Sequence, residues 1–287
     1  MAANARVAAM TGLAMLAFAG NSLLCRVALR DTTIDAATFT SVRILSGALA
    51  LSLIVRARHD EPRASGGWAS ALALFAYAAL FSYAYLSLEA GIGALLLFGA
   101  VQATMIGFGL WAGERLGARQ SVGFVLALAG LVGLLAPGLS APPVGGATLM
   151  LGAGIAWGVY SLRGKASGDP TRVTAGNFRL ACAFAVALSL ATLPWATPDF
   201  VGVAYAVASG AITSGIGYAI WYAALRGLTA THAATVQLSV PVIAALGAVA
   251  FLGEPITIRL VLASIAILGG IAMVISRIRG QTPNSED

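Results

Sequence analysis

Ten stretches of about 20 residues pass with almost no ionisable side chain, and short breaks between them carry nearly all the charge. They fall at approximately 8–27, 36–55, 68–87, 92–112, 121–137, 146–163, 174–194, 200–223, 231–251 and 258–276. A helix of about 20 apolar residues crosses the ~30 Å hydrocarbon core of a bilayer. It also satisfies its own backbone hydrogen bonds, which lipid cannot do. Membrane strands need only ~10 residues and alternate in polarity, and no such alternation is present. A soluble reading fails on composition: 59% of residues are hydrophobic and 10% charged, with mean hydropathy +0.88. Soluble domains carry about 25% charge. The expected fold is an all-α polytopic membrane protein with ten transmembrane helices.

The cations orient it. With the N-terminus inside, twelve of the seventeen Lys and Arg fall on the inner side: Arg6, Arg56, Arg58, Arg63, Arg115, Arg119, Arg163, Lys165, Arg172, Arg226, Arg277 and Arg279. Arg26, Arg30 and Arg259 fall outside, and Arg43 and Arg179 lie within spans. Lys and Arg resist translocation, so both termini of this multi-pass protein are expected in the cytoplasm. The net charge of +6 therefore reports topology. A nucleic-acid partner would require these charges on one soluble face, and they are scattered over six segments. The first span is too long for a signal peptide and is expected to stay in the mature chain. The polar tail from Gln281 to Asp287 is expected to be disordered. Cys25 and Cys182 read as small apolar residues within spans, and no Cys/His cluster has metal spacing. No metal or cofactor is expected.

The chain also repeats itself. Phe-Gly-Leu-Trp-Ala-Gly-Glu-Arg-Leu (Phe108 to Leu116) parallels Ala-Val-Ala-Phe-Leu-Gly-Glu-Pro-Ile (Ala248 to Ile256), which puts Gly113-Glu114 and Gly253-Glu254 140 residues apart. Gly130 falls on Gly270 at the same offset, Asn177-Phe178-Arg179-Leu180 echoes Ser41-Val42-Arg43-Ile44, and Ala156-Trp157-Gly158 echoes Phe18-Ala19-Gly20. Each half holds five spans, residues 1–140 and 141–287. Five is odd, so the second half enters the membrane from the opposite side. Two inverted five-helix repeats around a central cavity are the architecture of transporters that alternate access.

The Ala156-Trp157-Gly158 start, Phe178-Arg179-Leu180, Ser239-Val240-Pro241 and the Leu252-Gly253-Glu254 ending resemble the drug/metabolite transporter superfamily with paired EamA domains. The resemblance covers about residues 10 to 276 and is nearest to the YddG-type aromatic amino acid exporters. It implies a bacterial inner-membrane exporter whose cavity is lined by helices 1, 3, 4, 6, 8 and 9.

Read from the residues, the mid-depth groups are few. Trp157 lies mid-way along helix 6 with Tyr160 almost one turn on, and Gly154 and Gly158 frame it for close helix approach. The alternative is that Trp157 only packs. In helix 9, Pro241 leaves the carbonyl of Gln237 without its intrahelical donor and marks a hinge. The Gln237 side chain and the Ser239 hydroxyl complete a group that can hold a zwitterion, or else Gln237 bonds a neighbouring helix. Tyr77 and Phe81, four apart on helix 3, offer an aromatic wall. Asn21 and Ser22 on helix 1 and Gln102 on helix 4 are further polar candidates. Arg43 and Arg179 sit about two turns deep in matching places, shallow enough to snorkel, and read as structural or gating residues. Tyr218, Trp221 and Tyr222 read as an interfacial belt or inner gate.

No Asp or Glu lies inside a span, and His59 and His232 are poorly placed as relays. Proton coupling usually needs such a group. The resemblance, with a neutral aromatic-lined cavity, implies export of aromatic and other apolar amino acids; the missing acids add the expectation that it runs without proton coupling, by a monomer in contact with membrane lipids. Another small metabolite or drug, with or without coupling, is the alternative. An enzyme is disfavoured: His232 and Ser239 are about 10 Å apart along their helix, too far for a nucleophile and its base.

Overall fold

Three of the breaks that carry acids supply helix caps in the computed structural model, which describes residues 2–58, 66–113, 115–138, 141–164, 169–228 and 230–275. Asp35, Asp169 and Asp199 each accept a backbone N–H in the first turn of the helix that follows, from Thr38, Thr171 and Gly202 respectively. Such caps satisfy donors that a helix start leaves orphaned. Pro170 follows Asp169 at a position where its missing N–H costs nothing. Burial opposes the charge of Asp35. Hydrogen bonds from Thr38 Oγ1, Thr38 N and Thr197 N outweigh it and hold the carboxyl below the usual aspartate range.

The helices, in chain order, are α1 (Ala2–Asp31), α2 (Ala36–Ala57), α3 (Trp68–Ala84), α4 (Ala90–Trp111), α5 (Ala118–Leu135), α6 (Val144–Gly164) and α7 (Pro170–Ala191). They are followed by α8 (Phe200–Leu225), α9a (Ala230–Gln237), α9b (Ser239–Leu252) and α10 (Ile258–Ile275). Among the described residues nine helices are long and apolar enough to cross a membrane, and the tenth, α3, is apolar over 17 residues. The protein is an all-α, multi-pass membrane protein. Two departures from the expected spans matter. Residues Ala208–Ile216 of α8 wind as a π-helix, and helix 9 breaks at Leu238, one turn before Pro241. Of the residues singled out in the sequence, His59, Arg63, Glu114, Lys165, Arg277, Arg279 and the tail from Gln281 lie outside the described residues.

Neighbour pairs can be set against the expected repeat. Exchanging each of the first five helices with the one five later turns α3–α6 into α8–α1, α4–α6 into α9–α1, and α2–α8 into α7–α3; each of these pairs is packed. The pairs α2–α7, α4–α9 and α5–α10 map onto themselves. Gly113 and Gly253, 140 residues apart, both take a left-handed backbone just past α4 and α9b. Glycines also set the closest approaches. A Cβ on Gly154 would lie 2.5 Å from Ala100 Cβ, and Gly270 faces Gly123 O in the α5–α10 pair.

The exchange fails in one place. α1 packs on α4 and α4 on α10, whereas α6 with α9 and α9 with α5 lack comparable packing among the described residues. The packing of the two halves is therefore unequal among the described residues.

Candidate functional site

Between the helices lies a cavity of about 400 Å³, within the range of small-molecule sites. Phe18, Asn21 and Ser22 of α1, Tyr77 and Phe81 of α3, Trp157 and Tyr160 of α6, Tyr218 and Trp221 of α8 and Gln237 of α9a line it. It runs down to Ser161 and Gly164 at the end of α6, Pro170 at the start of α7 and Leu225 at the end of α8. The opposite end is shut. Cys25, Tyr85 and Leu88 are fully buried there. Arg26 Nε donates to Glu254 Oε1 at 3.2 Å and its Nη1 to Tyr85 O at 2.9 Å. Glu254 Oε2 accepts the Ala90 N–H at 2.7 Å, and Arg30 Nη1 reaches Leu252 O at 2.8 Å. These bonds tie the ends of α1 and α3, the start of α4 and the α9b–α10 turn into one closure. Burial, then the charge of Glu254, pushes the neighbouring Glu89 carboxyl upward.

Trp157 is the centre of the wall. Its ring lies 5.2 Å from Tyr160 and 5.4 Å from Tyr218, both nearly parallel to it, and 4.8 Å from Tyr77. Offset ring pairs at these spacings contribute about 0.5–1.5 kcal/mol each beyond their buried area. The position follows from Gly154 and Gly158, which let the α6 backbone press on Leu97 O, Ala100 and Thr104 of α4.

Two polar strings stand behind the rings. In the first, Asn21 Oδ1 accepts from Ser209 Oγ at 2.7 Å, and Asn21 Nδ2 donates to Tyr77 Oη at 3.3 Å. Arg43 Nη2 donates to the same Tyr77 oxygen at 3.0 Å. In the second, Asn177 Nδ2 donates to Tyr160 Oη, which donates to Thr174 Oγ1, itself 3.0 Å from Tyr222 Oη. Gly67 N fixes the Asn177 amide by donating to Oδ1.

Of the residues singled out in the sequence, Trp157, Tyr160, Tyr77, Phe81, Asn21 and Gln237 come together around the cavity. Ser239 and Gln102 do not line it. The Ser239 hydroxyl donates to Val236 O at 2.7 Å, a carbonyl freed by the break in helix 9, so it repairs the backbone instead. Gln102 is buried, about 100° round α4 from the lining residue Val101. Pro241 is buried one turn into α9b, next to the break.

The arginines need a larger correction. Arg43 does not snorkel: it is 2% exposed, with its guanidinium 5.1 Å from the Tyr77 ring centre and 4.9 Å from that of Phe81. Arg179, its partner in the repeat, is exposed. Position along the helix is shared, but the face is not. Tyr218, Trp221 and Tyr222 form the cavity wall rather than a belt. Sequence reading also missed α7, which contributes Thr174 and Asn177, and the π-segment, which contributes Thr213 and Ser214. Polar pairs three or four apart within otherwise apolar spans (Thr174/Asn177 and Ser209/Thr213) were the available signal.

None of the side chains lining the cavity, among the described residues, carries a formal charge at neutral pH. Among the described residues no group of His, Cys, Asp and Glu could hold a metal. The arrangement is suited to binding a small, largely apolar molecule with a few hydrogen-bonding groups.

Comparison with known proteins points the same way. The model of the EamA-like transporter family matches residues 144–276, which is α6 to α10. An uncharacterised protein of Pseudomonas aeruginosa, PA1977, is 58% identical over 272 residues, 94% of this chain and 95% of that one. An uncharacterised transporter of Bacillus subtilis, YvbV, is 22% identical over 259 residues, 85% of this chain and 83% of that one. A solved crystal structure superposes with a TM-score of 0.66 at 20% identity, over 93% of this chain and 96% of the other, a likeness of fold alone.

Proposed function

The chain belongs to the EamA-like transporter family, and we propose that it exports aromatic and other apolar amino acids across the bacterial inner membrane by alternating access, without proton coupling. Residues 1–140 and 141–287 serve as inverted five-helix repeats, whose exchange of conformation turns the cavity from one side to the other. With the Arg-rich breaks and both termini in the cytoplasm, the Arg26–Glu254 closure faces outward. The cavity then faces the cytoplasm, the side on which an exporter loads.

The observation that carries the reading is an uncharged, aromatic-walled cavity of about 400 Å³ that reaches only one end of the bundle. A planar or branched apolar side chain fits against Trp157 and its three flanking tyrosines. Gln237 offers a hydrogen-bonding amide to the polar end of the molecule. Among the described residues no Asp, Glu or His lines the cavity, which supports movement of substrate without proton exchange.

Counterflow into proteoliposomes with a panel of amino acids tests this. Phenylalanine, tyrosine and leucine are expected to exchange, and Gln237→Ala to lower their exchange about tenfold, the loss of one hydrogen bond of about 1.4 kcal/mol. A pH gradient is expected to leave the plateau unchanged. Uphill accumulation driven by that gradient, or exchange of no amino acid, would overturn the proposal.

A further inference from the structure

The proton of Tyr77 has nowhere to go within the protein. A phenol oxygen has two lone pairs and one O–H. Both acceptor sites on Tyr77 Oη are taken, by Arg43 Nη2 at 3.0 Å and Asn21 Nδ2 at 3.3 Å. The Asn21 amide cannot turn over without losing the bond that its Oδ1 accepts from Ser209 at 2.7 Å. The Tyr77 ring is held by Trp157 at 4.8 Å, Phe81 at 5.4 Å and the Arg43 guanidinium at 5.1 Å. The O–H is left as a donor, and Tyr77 lines the cavity.

Tyr160 gives the contrast. It too accepts from an asparagine, Asn177, but passes its own proton to Thr174 Oγ1. Its donor is spent inside the protein.

Behind Tyr77 sits a cation without a counter-ion. Arg43 is 2% exposed, takes part in neither ion pair found among the described residues, and its Nη1 is buried with no hydrogen-bond partner. Ser214 Oγ, on the cavity wall, is likewise buried and unpartnered. Arg remains protonated in any protein setting. A buried charge with an open donor is costly unless something of opposite sign comes near. Donation by Arg43 into Tyr77 Oη strengthens the phenol as a donor in turn.

We propose that Tyr77 Oη–H, polarised by Arg43, is the site that selects a substrate carboxylate. The substrate class is thereby narrowed to organic carboxylates with an apolar body, amino acids among them. Arg43 acts through Tyr77 as a positioning residue, and Asn21 holds the phenol in register. This inference rests on the reading of the cavity as a transport site, and assigns the carboxylate to α3 rather than to the break in helix 9.

Matched ligand pairs test it on the purified full-length protein. The probes are phenylalanine with phenylalaninamide, and 3-phenylpropionate with 3-phenylpropanamide, scored by ligand-induced thermal stabilisation. The carboxylate of each pair is expected to bind about 10- to 100-fold tighter, the range for a hydrogen bond to a charged group. Tyr77→Phe, which keeps the ring, is expected to bring that ratio to about one. Arg43→Gln is expected to do the same where it folds, and Trp157→Leu to weaken both members alike. Equal binding of acid and amide in the natural protein, or a preference that survives Tyr77→Phe, overturns the assignment. Binding of phenylpropionate but not of phenylalanine would leave the donor site standing and remove amino acids as cargo. Binding of no ligand would remove both.

Discussion

Glu254→Ala should unlatch one end of the bundle. Its side chain is 7% exposed and that of Arg26 is 14% exposed, so this pair is far better shielded than surface pairs worth about 0–1 kcal/mol. Removing one partner of a buried pair costs about 3–5 kcal/mol, mostly because the other charge is stranded. Arg26 is not wholly stranded, since Nη1 keeps Tyr85 O at 2.9 Å. Loss of the 2.7 Å bond to Ala90 N adds to the cost, at the start of α4. Balancing these, a shift of about 2–3 kcal/mol against the shut form follows, or about 30- to 150-fold in the ratio of shut to open. The assay is the rate at which a membrane-impermeant thiol reagent, added outside, labels Ser22→Cys at the blind end of the cavity, in a background lacking Cys25 and Cys182. Glu254→Ala should raise that rate by a comparable factor, and Arg26→Ala with Glu254→Ala should raise it little further. An unchanged labelling rate together with a large loss of thermal stability would refute the reasoning, because it would make the pair a static brace.

Gly154→Ala forces a methyl group to within 2.5 Å of Ala100 Cβ and 2.7 Å of Leu97 O, and should cost about 1–3 kcal/mol in detergent unfolding, while Gly133→Ala, with nothing within 4 Å, should be neutral or better. Asp35 titrates low in the folded protein, so its contribution is present above the ordinary aspartate value of about 3.9 and fades as pH falls through its lowered folded value. The stability gap between the natural protein and Asp35→Ala should therefore be about 1 kcal/mol at neutral pH, from loss of the cap, and should close below about pH 4, as read by melting temperature against pH.

The helices were legible because lipid removes alternatives: a long apolar run has little else to become. Even α4 and α5, dense in glycine, form helices of 22 and 18 residues. What sequence could not give was direction around each helix. Arg43 and Arg179 match in position along the chain, yet one is buried against Tyr77 and Phe81 and the other is exposed. Gln102 and Ser239 failed for the same reason, since mid-depth was read as cavity-facing. The π-segment of α8 is a second kind of omission. Its i→i+5 winding leaves no periodic trace in a run of Ala, Ser, Gly, Ile and Thr, although it carries Thr213 and Ser214 to the cavity. Trp157 and Gln237, which line the cavity, each break a rule in the sequence, a large ring between glycines and an amide at a proline break.

The two kinds of bond in the bundle suit different tasks in a moving protein. The aromatic wall around Trp157 is held by ring contacts and by hydrogen bonds, one of them from the buried Arg43 guanidinium, which would be left unsatisfied away from water if pulled apart. Such a centre favours one arrangement. The Arg26–Glu254 closure lies at the ends of helices, where both charges can recover water when the pair opens, so breaking it costs far less than breaking an equally close pair at mid-depth. The packing agrees: the exchange of the two halves fails at α1–α4 and α4–α10 and holds for α2–α7 and α5–α10. Under the proposed alternating access, α1 would leave α4 and α6 would approach α9, while the pairs that map onto themselves would stay packed. Cross-linking cysteines across the α5–α10 pair, placed away from its packed glycines, should therefore leave exchange intact, whereas a link fixing Arg26→Cys to Glu254→Cys should abolish it. Loss of exchange from the α5–α10 link would mean that these outer helices move too, and that the unequal packing of α1–α4 and α6–α9 does not mark the moving parts.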